Sequence, residues 1–326
     1  MTRHRVPLLF VATALLFGGT FVAAKAGIAY IPPLLFVSFR FDIATVLLLG
    51  FVALTHDRAE WVPRTRNDVL GSLAAGVFAI GLANACLFVG QQYATSAVAS
   101  IVFSLNPVLT PIFAALLLSD ESLPEYGAVG MAVAFVGVAL VVGIDPATLL
   151  DGGVVGYLVL FGGAVCAALG SVLIRWADAD YTSIARTAWG VPVGALLCHL
   201  VAFGAGEQLS AIEWTPTALL ALGYVGLFSG AIAYIVYFGL LDDVGAIRAN
   251  LAFYVVPVVS ALGGWILLGE SITATTVLGF AVVALGFAVL GRRELRVELR
   301  RLAAFVGSDT ASGPGANPET WNECDD

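Results

Sequence analysis

Four charged side chains interrupt segments that are otherwise apolar: Lys25, Arg40, Asp42 and Arg186. An arginine at the centre of a bilayer costs about 2.5 kcal/mol or more, so it must snorkel to the surface, pair, or line water. Arg40 stands seven residues past Pro33 and Arg186 five past Tyr181, and the 146-residue spacing makes the two arginines candidate counterparts in a repeat. They could act as alternate gate charges or as anchors for an anionic group; snorkelling is the plain alternative, and it suits Arg186 best. Lys25 is the sole lysine of the chain and falls in the outer third of its segment, with Arg175 as its rough counterpart. It is either functional or a snorkelling residue. Asp42, two residues from Arg40, points to a different helix face and need not pair with it. A carboxyl group at that depth can carry a proton; otherwise it is a hydrogen-bonded structural residue or the partner of Lys25.

Softer candidates are amides and aromatics of the central segments: Asn84, Gln91, Gln92, Asn106, Trp189, Tyr234, Tyr237, Asn250 and Tyr254. An aromatic wall with a few amides suits a pocket for amphipathic molecules. The same residues also serve as interhelical hydrogen bonds or interface-belt anchors. Pro107 and Pro257 each fall 11 residues into an apolar segment, which is about 16 Å along a helix and close to mid-membrane. Each frees the carbonyl four residues back, at Phe103 and Phe253. Such points hinge a helix, line a wet cavity, or are fixed kinks. No nucleophile–base set and no metal-ligand spacing is present; of the three histidines, His4 and His56 fall outside apolar segments and only His199 is inside one. No ATP-binding motif appears.

These residues sit in elements that the chain writes twice. Gly81 to Glu121 reads GLANACLFVGQQYATSAVASIVFSLNPVLTPIFAALLLSDE, and Gly230 to Glu270 reads GAIAYIVYFGLLDDVGAIRANLAFYVVPVVSALGGWILLGE. Gly81 and Gly90 match Gly230 and Gly239, Pro107 matches Pro257, and Gly130 and Gly137 fall on Gly279 and Gly286. Those glycines, with Gly71 and Gly76, allow close helix packing. Spanning a bilayer takes about 20 apolar residues, and ten segments qualify: 6–29, 33–54, 68–90, 96–118, 125–143, 154–174, 182–203, 216–239, 246–268 and 273–291. The 326 residues are 60% hydrophobic and 12% charged, against about 25% charged in a soluble globule. The first segment imitates a signal peptide, but its apolar run is too long and nine further segments follow, so it is read as an uncleaved helix.

Twelve of the fifteen basic residues fall before segment 1, after segment 10, in alternate connections or, for Arg248, at the edge of one (Arg3, Arg5, Arg58, Arg64, Arg66, Arg175, Arg248 and five after 291). The opposite connections carry Asp145, Asp151, Glu207, Glu213 and Glu270. Both termini are therefore expected in the cytoplasm. Five spans per half is an odd number, so the second half is expected upside down: residues 1–145, then 146–291, then a basic juxtamembrane segment and acidic tail over 292–326 expected to be disordered. A pI near 4.8 argues against nucleic acid. One lysine against 23 acidic residues fits a halophilic source, or a high-GC genome that prefers arginine. The cysteines give no disulfide or zinc pattern.

On these residues the chain resembles the EamA type of drug/metabolite transporter. Phe17-Gly18-Gly19-Thr20-Phe21 followed by Lys25 is similar to the family's Trp-Gly-x-x-Phe then Lys/Arg, with Phe17 in place of Trp. Arg40 stands where the family has an arginine. The fourth and ninth segments carry the proline and the acidic ends Leu118 to Glu121 and Leu268-Gly269-Glu270; the first acidic end, Ser-Asp-Glu, departs from Gly-Glu. The resemblance covers 6–291. It implies an all-α membrane protein of ten transmembrane helices in two inverted repeats, multi-pass in the cell membrane, with a substrate cavity between the halves. The expected function is secondary transport of small metabolites such as amino acids or amphipathic compounds, outward, without a cofactor. A coupling proton or sodium ion and a homodimer are possible partners. The alternatives are a nucleotide-sugar or phosphorylated-sugar exchanger, which needs a denser basic cavity, or a non-transporting membrane sensor.

Overall fold

The structure, a computed structural model, describes residues 5–118, 127–143, 153–244, 249 and 251–290. Expectations that rest on Arg3, His4, Asp120, Glu121, Asp145, Asp151, Arg248, Asn250 or the segment 292–326 lie outside the described residues. Every regular element among those described is helical. Seven helices are long and apolar enough to cross a membrane: α1 (Arg5–Gly27), α2 (Pro33–Thr55), α3 (Arg66–Gly90), α4 (Ser96–Leu117), α6 (Gly153–Ala177), α7 (Ser183–Gly204) and α8 (Pro216–Leu241). Three shorter apolar helices complete the set: α5 (Gly127–Val142), α9 (Ala252–Leu268) and α10 (Ala274–Leu290).

The helices start where the chain supplies caps. Thr65, Thr95, Thr182 and Thr215 each accept a hydrogen bond from the backbone N–H three residues on, opening α3, α4, α7 and α8. Proline opens α2 and α8 at a position where its missing N–H has no helical partner to lose. The outward faces are as apolar as the interior: Leu54, Leu220 and Val46 are 88%, 76% and 74% exposed. Water would not tolerate so many; lipid does.

The pairings are α1 on α9, α2 on α7, α5 on α10, and α3 and α4 on α6. Small residues set the closest one. A Cβ on Gly130 would meet the Gly286 carbonyl at 2.8 Å, and one on Gly279 would meet that of Gly137 at 2.7 Å. The glycines expected to allow close packing thus bring α5 and α10 backbone to backbone.

Three features are absent from the sequence reading. First, α3 and α8 each contain a π-helical stretch, Ala75–Leu82 and Tyr224–Ile232. Second, α4 is interrupted after Phe103: the chain turns through Ser104 and Leu105, and a second helical piece begins at Asn106. Pro107 is therefore the second residue of a new helix, not the middle of a continuous one, and is exposed. Pro257 is buried inside α9. Third, the register of α2 against α7 differs from expectation. Gly81 of the first π stretch approaches Gly194 of α7, and Gly230 of the second approaches Ala44 of α2. With α2 starting at Pro33 and α7 at Ser183, that register sets Arg40 level with Gly190. Arg186 is not its counterpart, because the expected 146-residue spacing was read from residue type alone.

Contacts also fix which helix ends meet. The Glu207 carboxylate, just past α7, accepts the N–H groups of Leu34 and Leu35 at 3.0 and 2.8 Å. Glu270, just past α9, accepts the Ser96 N–H with both oxygens, at 3.0 and 2.9 Å. Each glutamate follows a glycine in the left-handed region, Gly206 at φ 78° and Gly269 at φ 67°. That conformation turns the chain back at the helix end and aims the next side chain at a neighbouring helix. A carboxylate is well placed there, since a helix N-terminus carries orphan N–H groups and partial positive charge. At the other end Arg5 pairs with Asp243 at 3.2 Å, joining the start of α1 to the last helical turn that continues α8 to Val244.

Candidate functional site

Arg40 is the centre of the site. It lies on the inward face of α2 and is 2% exposed. Its Nη1 donates to Asn84 Oδ1 at 2.9 Å, and Asn84 Nδ2 donates to the Ile80 carbonyl at 2.8 Å. The guanidinium carbon is 5.0 Å from the Phe41 ring centroid and 5.6 Å from that of Phe88, close enough for cation–π attraction. Tyr234 and Cys198 are its electrostatic neighbours. No carboxylate among the described residues lies within 4.0 Å of it, and its Nε is buried without a partner. An unpaired guanidinium in a low-dielectric interior carries a free-energy penalty that an arriving anion removes.

The π stretch of α3 supplies part of this arrangement. Its carbonyls at Ile80 and Gly81 receive Asn84 Nδ2 and the Cys198 thiol, the latter at 3.6 Å. A π turn shifts the hydrogen-bond ladder by one residue, and such turns recur at functional sites. Composition gives no signal for it.

An aromatic group adjoins Arg40 through Tyr234. The Phe17 ring lies 5.4 Å from Tyr234, 6.3 Å from Tyr237 and 5.3 Å from Phe253, in edge-on or tilted geometry. Tyr237 also meets Phe253 at 5.3 Å. Phe17, the residue standing where the resemblance expects tryptophan, thus joins α1 to α8 and α9. Tyr254 lies elsewhere, against Phe287 of α10 at 5.0 Å.

The remaining candidates are not gathered at Arg40. Lys25 Nζ donates to the Gln91 carbonyl at 2.9 Å, and Glu270 is its nearby countercharge. Gln91 is wholly buried and donates to the Phe21 carbonyl at 2.5 Å. Lys25, Gln91, Ser96 and Glu270 therefore form one polar knot where α1, α3, α4 and α9 end. Asp42 does not partner Lys25: its Oδ2 lies 2.9 Å from His199 Nε2 on the exposed flank of α2 and α7. Asn106 is engaged locally, its Oδ1 taking the Thr110 hydroxyl at 3.2 Å.

Arg186 and Trp189 belong to the opposite end. Trp189 donates its indole N–H to the Trp61 carbonyl at 2.8 Å and stacks on the Trp61 ring at 6.0 Å. The Tyr181 hydroxyl contacts the Ser72 hydroxyl and donates to the Asp68 carbonyl at 3.1 Å. Burial pushes the Tyr181 phenol above its usual pKa, and Arg186 beside it opposes the shift. Arg186 is half-buried, with its Nε unpartnered. Among the described residues, Arg40 and Arg186 are thus the two guanidiniums with a buried, unpartnered Nε, one central and one at an end.

Comparison with known proteins agrees on the class. The model of the EamA-like transporter family matches twice, over residues 5–143 and 154–292. "Uncharacterized transporter YoaV" of Bacillus subtilis is 26% identical over 283 residues, 86% of this chain and 95% of that protein. "Uncharacterized inner membrane transporter YedA" of Escherichia coli K12 is 28% identical over 295 residues, 89% of this chain and 93% of that one. An "Uncharacterized transporter" of Archaeoglobus fulgidus is 27% identical over 88% of this chain and 98% of its own length. A solved crystal structure of a protein shares the fold, with a TM-score of 0.60 at 20% identity, covering 91% of this chain and 100% of that one.

Proposed function

Because the chain belongs to the EamA-like transporter family of the drug/metabolite transporter superfamily, we propose that it is a secondary active transporter of the cell membrane. It exports small metabolites, such as amino acids or amphipathic compounds, by alternating access around a central site. The observation that carries this reading is Arg40, a buried guanidinium with no carboxylate beside it among the described residues and one N–H unpartnered. An anionic group of the substrate completes its coordination, and the aromatic group around Phe17 receives the apolar part.

In this reading all ten apolar helices span the bilayer, as two five-helix repeats inserted in opposite senses, with both termini cytoplasmic. What supports it is the meeting of helix ends: the C-end of α7 with the N-end of α2, and the C-end of α9 with the N-end of α4. Glu207 and Glu270 then lie outside, and Tyr181, Trp61 and Trp189 inside. A proton or sodium gradient, or the substrate's own, supplies the energy.

The test is a metabolite screen of efflux from expressing cells, followed by flux in vesicles under a proton gradient, a sodium gradient or neither. The expected result is movement of at least one carboxylate-bearing compound, lost in Arg40→Ala at normal protein level. Flux in Arg40→Ala equal to that of the wild type overturns the site. Folded protein that binds such compounds without ever moving them overturns transport.

A further inference from the structure

Asp42 and His199 lie where a charged pair is least expected. Their side chains are 49% and 26% exposed, with His199 Nε2 2.9 Å from Asp42 Oδ2. The surrounding surface is apolar: Val46, Leu196 and Leu200 are 74%, 62% and 63% exposed. Phe39 and Phe203 flank the imidazole, with ring centroids at 5.9 and 6.2 Å. Asp42 is nine residues from the start of α2, about 14 Å along the helix axis, so the pair sits at hydrocarbon depth. An acidic side chain facing lipid there costs about 2.5 to 3.5 kcal/mol at the bilayer centre. The contact between the two side chains relieves part of that. Asp42 Oδ1 and His199 Nδ1 take no hydrogen bond from the described residues, and both remain to be satisfied.

We propose that this flank of α2 and α7 is where two copies of the chain associate. The argument is self-complementarity. Acid and base sit on adjacent helices at one depth, since they touch. A two-fold axis along the membrane normal sets α2 of each copy against α7 of the other, so each carboxylate opposes the second copy's imidazole. The patch is its own partner, as an isologous interface requires. With both imidazoles protonated, each donates from its two ring nitrogens to two carboxylates and the four groups close into one ring, with Leu196, Leu200 and Phe203 packed around it. Polar contacts between membrane helices contribute on the order of 0.6 to 2 kcal/mol each. Ligand transfer at Arg40 is not involved, because Arg40 points inward from the other side of α2.

The experiment is fluorescence energy transfer between two differently labelled populations of the full-length chain in liposomes, read across protein-to-lipid ratios. Wild type mixed with wild type is expected to associate. Asp42→His alone places two imidazoles on each copy, and His199→Asp alone places two carboxylates. Each variant mixed with itself is expected to need about tenfold or higher membrane density to associate. The mixture of Asp42→His with His199→Asp restores the acid–base match and is expected to regain wild-type association. Leu200→Trp, which keeps both polar groups and blocks the surface, is expected to stay monomeric. Wild-type chains that remain monomeric at every density overturn the proposal, leaving lipid as the cover of the patch. So does equal association in all four combinations. Efflux is not the readout, so neither result bears on the transport reading.

Discussion

Set α2 and α3 beside α7 and α8. Each pair packs across to the other half through a π-helical stretch, Ala75–Leu82 against α7 and Tyr224–Ile232 against α2. The glycines at the crossings approach in the same way, Gly81 to Gly194 and Gly230 to Ala44. Yet the first pair carries Arg40 and Asn84, where the same register brings Gly190 and Ala233 in the second. The backbone is doubled and the chemistry is single. A binding site needs one charge at one place, and a matching charge 150 residues on would have to be desolvated as well. If the repeat sets the framework, the departures from it mark the proposed site.

The sharpest test of that contrast is Arg40→Ala against Arg186→Ala. If the central guanidinium meets the substrate, its loss removes a charged hydrogen bond and its cation–anion attraction, and flux falls by about 100-fold, close to 3 kcal/mol. Arg186, at one end beside Tyr181, is expected to change flux by less than about threefold. Asn84→Ala belongs between them, near tenfold, because it frees Arg40 Nη1 and lets the guanidinium wander. Equal losses from both arginines would erase the difference between the halves.

The framework side of the contrast predicts matched effects. Gly81→Val and Gly230→Val each drive a branched side chain into a crossing where even a Cβ would crowd the facing helix, meeting Leu197 Cδ2 at 2.9 Å from Gly81 and Ala44 Cβ at 3.1 Å from Gly230. Overpacking of this kind costs about 1 to 3 kcal/mol. Both variants are expected to lower thermal stability in detergent by similar amounts. A large loss from only one would mean that the two crossings are not equivalent.

How much of this was legible in advance depends on the kind of signal. The helices were, because apolar runs of bilayer length leave few other structures available. Arg40 stood out because an arginine among apolar residues is rare. The π stretches were not legible: Ala75–Leu82 reads as ordinary helix, and the shift in register depends on what packs against it. Spacing alone shows Glu207 only as a charge on a connection; its contact with Leu34 and Leu35 joins residues 173 and 172 positions apart. The sequence offers Lys25 as a partner for Asp42, while the neighbour that Asp42 meets, His199, is 157 residues away. Pairing across the bundle is a property of the packing, which local spacing does not encode.

The smallest expected effect concerns the two ends of the α2–α7 seam. At one end a charged carboxylate caps α2 through two N–H groups; at the other, among the described residues, α7 has only Thr182, whose hydroxyl accepts the Ala185 N–H at 3.3 Å. A charged acceptor holding two donors outweighs one neutral, long hydrogen bond. Glu207→Ala is expected to cost about 1 to 2 kcal/mol and Thr182→Ala about half that. Hydrogen exchange reads each locally, at the amides of Leu34 and Leu35 and at that of Ala185. The first pair should speed up by roughly five- to thirtyfold in Glu207→Ala, and the Ala185 amide by only a few-fold in Thr182→Ala. In this conformation the Glu207 end would then be the firmer of the two, and opening there would require that carboxylate to let go. Equal acceleration at both ends would mean that the seam is fastened alike top and bottom, and that the asymmetry of the molecule is confined to Arg40.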